Sequence, residues 1–488
     1  NSYFRAYFFL KGEFNPAIFD PYSFNKKIYD EGFRHIFASY TPNPPFTVIF
    51  FAPFTWLSLA SAKIVFNILT SGLFIFSVYR LYKKFGNGQA LILIMLPLIF
   101  FIPIRNQILF GQTYFLICTL LIEGFLAYDS RKTWTASILW SIAVLLKVFP
   151  VIILLFLLLK REWTMVAKLS IVLTGLLLMS VAVLGIESWS VYVTEILPRS
   201  QRGEIAGPYV ANYQSAWMLL KYLFLADPIL NPVPLIDSVF LFTLCYVLFN
   251  AIVLSLSSAI ALKDRGALAF GAIFLASVLI SPYGSTYGSL VLVILFVAAA
   301  KQSQATLIVI SLVLFSISNL PVSVFGELHT VMRFPRLFLL LALLLSIVLL
   351  TNTKIQWKFL SGFLILFAVP AGVQWTRPYE RQSELIPGQE HSLIIDYESK
   401  EGNLTYTFWS DNGPQRHVTD LPVSSLTMEK TVLKNNQIFF DGKQITTSSD
   451  RKLKPALMNG NFLIYLSDQD RGPGFYNLRA IDVQTMTK

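Results

Sequence analysis

Three stretches of this sequence gather cationic and amide side chains in a chain that has few of either. "IRNQILFGQTY" (104–114) carries Arg105, Asn106, Gln107 and Gln112. "PRSQRGEIAGPYVANYQSAWMLLKYLF" (198–224) carries Arg199, Arg202, Asn212 and Gln214, and "GELHTVMRFPR" (326–336) carries His329 and Arg333. A further cation, Lys147, stands inside "ILWSIAVLLKVFPVIILLFLLL" (138–159), which is apolar but for this lysine and one serine. The opening stretch 1–45 adds Arg5, Lys11, Glu13, Asp20 and His35. Ammonium and guanidinium groups hold phosphate oxygens, and amides bond hydroxyls, so such a set suits a phosphate and a sugar.

Each of these residues also has a structural reading. A lysine near a helix end snorkels to the membrane interface, and Arg105 and Arg333 read equally well as boundary charges. Asp20 in "FDPY" can open a turn. The glycine and glutamine of "GQTY" suit close helix packing and a hydrogen bond across it. His329 has no His, Cys or paired carboxylate near it at ligand spacing, so no metal centre is expected. The sequence has no P-loop, G-x-S-x-G, H-E-x-x-H or cysteine-rich set, and no cofactor is expected.

The elements that must position these groups are membrane helices. Of 488 residues, 55% are hydrophobic and only 14% charged, with 42 phenylalanines, and uncharged windows of about 15–20 residues recur along the chain. Apolar segments fall at 46–58, 61–82, 88–103, 109–128, 133–147, 148–160, 166–186, 235–262, 267–281, 288–301, 304–320, 335–351 and 357–374. The first is short and interrupted by Pro53, which predicts an interfacial or re-entrant element. About 12 helices thus form a polytopic bundle over residues 1–375, with 1–45 as its first outer loop.

The net charge of +11 reports orientation and is not a nucleic-acid signal. Basic clusters occur at Arg80, Lys83 and Lys84; at Arg131 and Lys132; and at Lys160, Arg161 and Lys168. Lys263 and Arg265, Lys301, and then Lys354 and Lys358 continue the series. With alternate loops cytoplasmic, every cluster falls inside, and 1–45, 187–234, 282–287, 321–334 and the tail fall outside. A single crossing over 138–159 would invert every later cluster. Splitting that run at "KVFP" into two short helices keeps them all inside, and puts Lys147 at the outer end of a hairpin.

After residue 376 the pattern changes. "HSLIIDY", "LTYTFW", "NQIFFDGKQIT", "FLIYLSD" and "FYNLRAIDV" read as short strands separated by turn signals such as "DNG" and "DG". A β-rich extracytoplasmic accessory domain over 376–488 is expected, binding glycan or a partner. Cys118 and Cys245, the two cysteines, lie in apolar segments, so a structural disulfide is not expected. The chain opens at Asn1 in a polar stretch, and a preceding membrane helix is expected in the natural protein.

In order and spacing these stretches resemble glycosyltransferase family 87, membrane enzymes of the GT-C class. "YFRAYFFLKGEFNPAIFD", "YTPNPPFTVIFFAPFTWL" and "FGQTYFLICTLLIEGFLAY" are similar to its first loop, Pro-Pro segment and Gly-Gln helix start. "ASILWSIAVLLKVFPVIILLFLLLKREW", "ANYQSAWMLLKYLF" and "ISPYGSTYGSLVLVIL" are similar to its lysine–proline turn, Asn-Gln-Ser segment and Ser-Pro helix start. The likeness covers roughly residues 1–350 and excludes the β-rich tail. It implies inverting transfer of a sugar, mannose most often, from a polyprenyl-phosphate donor to a hydroxyl of a lipid or glycan acceptor. The site would face outward from the inner (plasma) membrane, with membrane lipids as surroundings and no nucleic-acid partner.

The resemblance further implies that Lys147, with Arg105 or Arg333, binds the donor phosphate. Tyr3, Arg5, Asn43, Gln112, Asn212, Gln214 and His329 would contact substrate. The family's catalytic aspartate aligns about two residues before Asn1, which leaves Asp20 as the fallback base here. Two departures bear on substrate contacts: Tyr114 stands where the family often has Asn, and Tyr287–Gly288 where it often has His or Asp. A transporter would place ionisable residues deep in several helices. A lipid-linked polysaccharide polymerase or ligase would concentrate arginines in one large outer loop, where this chain has Arg199 and Arg202. Both remain open as alternatives.

Overall fold

The computed structural model describes residues 1–38, 43–204, 209–227, 230–264, 266–326, 328–375, 383–385, 393–448, 450–469 and 472–483. Tyr40–Pro42 of the Pro-Pro stretch, residues 205–208, Arg265, Glu327 and the junction around 376–382 lie outside them. The chain is mostly helical up to Trp375 and stranded beyond it. Among the described residues, three helices are individually long and apolar enough to cross a membrane: Leu59–Phe85, Trp163–Leu184 and Val239–Lys263. The pair Leu91–Ile99 and Phe101–Phe110, bent by 58°, makes up to one more, and shorter apolar helices supply the rest. Their outer faces are apolar, as lipid rather than water requires: Leu59–Phe85 buries Phe66 and Phe74 and exposes Ile64, Ile68 and Ile75. As anticipated around Pro53, the first apolar segment is a short helix, Thr47–Phe51, running into a 3₁₀ turn, Ala52–Trp56.

The run 138–159 is broken. Pro150 has no N–H to give the carbonyl of Leu146, and its ring would collide with that oxygen. The helix Thr133–Leu146 therefore ends there, and Lys147 is extended (φ −159°, ψ 131°). A 3₁₀ turn, Phe149–Ile152, then leads into Ile153–Leu159. The two helices run antiparallel, because their far ends meet. Arg131 pairs with Glu162 at 3.4 Å, Tyr128 donates to the same carboxylate, and Lys168 donates to Thr133 at 2.7 Å.

The basic clusters share one end of the bundle. Lys84 pairs with Asp129 at 2.5 Å, Lys160 donates to the carbonyls of Ala261 and Asp264, and Lys263 donates to that of Asn352. Lys301 lies 4.5 Å from the centre of the Phe85 ring. This basic end is opposite the end where the long polar loops gather.

One expected boundary is wrong. The segment expected at 88–103 continues as helix to Phe110, so Arg105, Asn106 and Gln107 lie on its last turns and not in a loop. The bend falls at Phe100 because Pro103 cannot bond the carbonyl of Ile99. Asn319 repairs the gap. Its side-chain nitrogen donates to the carbonyls of Leu98 and Ile99 (3.1 and 2.9 Å), and its oxygen accepts from the Ile102 N–H (2.9 Å). Without such a partner these backbone groups would be unsatisfied at membrane depth.

Among the described residues, the tail holds three antiparallel sheets. One orders Ser383–Glu384, Asn477–Asp482, Phe462–Ser467, Lys452–Met458 and Leu426–Thr427; the second is Leu393–Lys400, Asn403–Ser410 and Gly413–Pro422; the third is Thr431–Lys434, Gln437–Phe440 and Lys443–Gln444. Tyr406, Ile464 and Leu478 are wholly enclosed in the core between the first two sheets, and Ile438 of the third packs separately with Leu463 and Tyr465. Gly413–Pro422, Thr431–Lys434 and Lys452–Met458 had no clear strand signal, since the first two are mostly solvent-exposed and the third holds Pro455. These sheets rest on the loop end of the bundle. Trp409 lies against Tyr22 and Tyr29 (5.4 and 5.6 Å between rings), and the His35 N–H donates to the carbonyl of Asp411 at 3.0 Å.

The hairpin is tightest at Gly124 of Tyr114–Asp129. A Cβ there would collide with the Trp140 indole, itself wholly buried and stacked on Phe270. Gly124→Val should therefore destabilise the bundle by ~1–3 kcal/mol. Thermal unfolding of the detergent-solubilised protein checks this, and an unchanged midpoint would contradict it.

Candidate functional site

Between Phe101–Phe110 and Tyr114–Asp129 the chain turns through three residues, Gly111, Gln112 and Thr113. Gly111 ends the first helix in the left-handed region (φ 58°, ψ 43°), a conformation that glycine takes without a Cβ penalty. Gln107, wholly buried, holds the turn from below: its oxygen accepts from the Tyr114 N–H at 3.2 Å and its nitrogen donates to the Gln112 carbonyl. Asn106 donates to the Thr286 hydroxyl at 2.9 Å, which fastens the same helix to the start of the 3₁₀ turn Thr286–Leu292.

This turn forms one wall of a cavity of about 200 Å³. Asn1, Ser2, Tyr3, Asn43, Lys63, Gln112 and Thr113 supply its polar lining, and Phe51, Phe54, Phe66 and Phe110 its aromatic lining. Lys63 stands in the first turns of Leu59–Phe85. Its aliphatic stem passes 3.7 Å from where a Cβ on Gly111 would sit, so the glycine leaves room for the lysine to lie along the turn. The cavity thus pairs a cation and amides with phenyl rings. No carboxylate is among its described lining residues.

Behind the turn stands Lys147. Its ammonium lies 4.0 Å from the centre of the Tyr114 ring, and no carboxylate pairs with it among the described residues. Tyr114 in turn stacks on Phe149 (6.0 Å) and meets Tyr287 (5.1 Å). A ring attracts a cation through its quadrupole but carries no net charge. The lysine is therefore held in place with no carboxylate against its charge among the described residues. At this position Tyr114 seats the lysine, whereas an Asn would offer it an amide.

Of the residues predicted to contact substrate, the structure brings three into the cavity wall: Tyr3, Asn43 and Gln112. Tyr3 is oriented by its hydroxyl, which donates to the Leu57 carbonyl at 2.9 Å. Arg5 lies elsewhere, buried against the Phe19 and Phe24 rings at 5.0 and 5.9 Å. Gln214 is a buried staple: it donates to the carbonyls of Ala211 and Arg333 (2.7 Å each) and accepts from the Arg336 N–H. Asn212, His329 and Arg105 are exposed outside the cavity lining. Arg333 donates to the Leu328 carbonyl at 2.8 Å. Asp20 caps the helix Pro21–Asp30 by accepting from the Ser23 N–H at 2.9 Å, which is the turn-opening reading of "FDPY". Among the described residues no group of three or more His, Cys, Asp or Glu side chains could hold a metal ion.

Sequence reasoning missed Lys63 and the Phe wall. The lysine is one charge near the start of the apolar run 61–82 and was absorbed into it. The rings come from three separate segments, and no spacing rule joins them.

A sequence model of glycosyltransferase family 87 matches residues 40–282. Two mycobacterial proteins, each named polyprenol-phosphate-mannose-dependent alpha-(1-2)-phosphatidylinositol mannoside mannosyltransferase, are similar over 135 residues. The one from Mycobacterium tuberculosis is 27% identical, over 24% of this chain and 31% of its own length. The one from Mycolicibacterium smegmatis is 28% identical, over 24% and 30%. The matched stretch thus spans less than a third of either relative. No solved structure matches the chain. Through residues 40–282, which carry the cavity wall from Asn43 to Thr113 and the break at Lys147, the chain belongs to glycosyltransferase family 87.

Proposed function

We propose that this protein is a membrane glycosyltransferase that takes a sugar, mannose, from a polyprenyl-phosphate donor and passes it to a hydroxyl of a lipid or glycan acceptor. The observation that carries this reading is the make-up of the cavity. A cation, amides and a ring of phenylalanines in one space of about 200 Å³ suit a ligand with an anionic head, a hydroxylated group and an apolar tail. The names of the two mycobacterial relatives support a lipid-linked mannose as that ligand.

In the reaction, the acceptor oxygen attacks the anomeric carbon as its proton passes to a carboxylate base. The bond from that carbon to the phosphate oxygen breaks, its electron pair leaves with polyprenyl phosphate, and configuration inverts. The leaving group gains charge as the bond breaks, so fixed cations lower the barrier. In this proposal Lys63 holds the phosphate in the ground state, since it lines the cavity. Lys147, seated on Tyr114 behind the turn, adds the field that meets the developing charge. Beside a low-dielectric wall that field is many times stronger than in bulk water. Tyr3, Asn43 and Gln112 bond the sugar hydroxyls. Asp20, expected as the fallback base, caps Pro21–Asp30 and lies against Gly474 outside the cavity lining, so in this proposal it takes no part in the proton transfer. Arg105, Arg333, Arg5, Asn212, Gln214 and His329 act outside the cavity in this reading. The loop end faces outward across the plasma membrane, and the basic end faces the cytoplasm.

Two measurements check the proposal. In transfer from polyprenyl-phosphate mannose, Lys147→Ala should lower kcat by about 10²-fold, and Lys63→Ala should raise the donor KM by about tenfold with a smaller change in kcat. Wild-type kinetics in both variants would rule out the two lysine roles. For orientation, His35→Cys and Asn87→Cys, each in a chain lacking Cys118 and Cys245, place exposed thiols at opposite ends. An impermeant thiol reagent added to intact cells should label the first and spare the second. The reverse pattern would overturn the outward face.

A further inference from the structure

Beside the His35–Asp411 hydrogen bond, the C-terminal sheets make four further kinds of contact with the bundle among the described residues, and all of them fall on the two loops at the cavity end. The first is a buried ion pair: the Arg199 guanidinium, 7% exposed, donates to the Asp468 carboxylate at 2.9 Å and to the Asp468 carbonyl at 2.6 Å. Asp468 is wholly enclosed and also accepts from the N–H groups of Arg451 and Gly474 at 2.8 Å each. The second, Arg451 to Glu195 at 2.7 Å, lies nearer solvent. The third is the Trp409 ring between Tyr22 and Tyr29. The fourth is close backbone approach at two glycines in the left-handed region. A Cβ on Gly474 would lie 2.5 Å from the Asp20 carboxylate, and one on Gly413 3.1 Å from the Tyr29 ring.

These contacts grip the helix Pro21–Asp30 and the segment 195–204. The grip passes on to the cavity through the first loop itself. Pro21–Asp30 packs on Ser2–Leu10 through Phe24 against Phe8 (6.2 Å) and through Arg5, whose guanidinium lies over both Phe19 and Phe24. Two ion pairs tie the same layers, Lys11 to Glu31 at 2.5 Å and Lys27 to Glu13 at 2.7 Å. The Lys11 ammonium and the Tyr7 hydroxyl, both donating to it, hold the Glu31 carboxyl below the usual carboxylate range. Asn1, Ser2 and Tyr3, at the start of Ser2–Leu10, line the cavity.

We infer that the C-terminal sheets are a clamp, in which Trp409, Arg451 and Asp468 are positioning residues that hold the Asn1–Tyr3 wall of the cavity in its ligand-ready place. The clamp itself follows from contacts alone. Only its effect on donor binding rests on the proposed function. An unclamped first loop samples positions that do not complete the wall, and apparent affinity falls by the fraction of time it spends there.

The test is hydrogen exchange on the full-length protein in detergent, without substrate. Arg451→Glu should speed exchange in both Pro21–Asp30 and Ser2–Leu10, and the paired swap Glu195→Arg with Arg451→Glu should restore it. Trp409→Ala should act in the same direction. Glu195→Gln breaks the same ion pair from the bundle side and leaves the sheets untouched, so it covers the case in which a sheet variant fails to fold. In parallel, the donor KM should rise about fivefold in Arg451→Glu, with kcat changing less, and return in the swap. Wild-type exchange in both helices in Glu195→Gln and Trp409→Ala would overturn the clamp. So would faster exchange confined to Pro21–Asp30, because the effect would then stop short of the cavity wall. Exchange that behaves as expected beside an absent transfer activity would leave the clamp standing and refute the donor reading instead.

Discussion

The architecture turns on a hydrogen bond that cannot form. Pro150 has no N–H for the carbonyl of Leu146, so a run of sequence long enough for one crossing becomes two short helices with Lys147 between them. Every later helix takes its direction from that break. With it, the basic ends of the hairpins collect at one end of the bundle, where Lys84, Arg131, Lys160, Lys168 and Lys263 find carboxylates, hydroxyls and carbonyls. The long polar loops collect at the other end. One continuous helix would reverse the second half of the bundle and separate Lys147 from the loops.

At the loop end, the shape of the turn after Phe110 sets the chemistry. A buried glutamine, a left-handed glycine and a lysine lying along that glycine build a polar rim, and phenylalanines from three segments build the apolar wall. Tyr114, the next residue, holds Lys147 by its ring face. Because neither lysine is neutralised by a carboxylate among the described residues, the region keeps a positive field beside an apolar wall. That combination is what an anionic lipid head requires.

Much of the fold was legible because it follows from local rules. Hydropathy placed the helices, charge parity split 138–159, Pro53 marked the short first apolar element, and alternation with turn signals placed five strand regions of the tail. The errors have physical causes. The helix to Phe110 outlasted its apolar pattern because its polar residues face partners on other elements, Asn106 on Thr286 and Gln107 on the turn. Gly413–Pro422 is nearly all exposed, so it shows no alternation. In the site, Tyr3, Asn43 and Gln112 were legible through the family likeness, since each stands in a motif. Lys63 was not, because its neighbours in space are Gly111 and Gln112 and its neighbours in sequence are a membrane helix. Arg5 and Gln214 were misplaced because a cation over two rings and an amide bridging two loops carry no local signal.

The sheets of the tail add mass to the one end of the bundle where loops would otherwise be held only by each other. The central claim, that the Phe-walled cavity takes a lipid phosphate by head and tail together, is tested most directly by photo-crosslinking. A polyprenyl phosphate with a photoreactive group in its first isoprene units should label peptides containing Phe51, Phe54, Phe66 or Phe110, and unlabelled polyprenyl phosphate should compete. Labelling confined to other helices, or undiminished by competitor, would contradict the account.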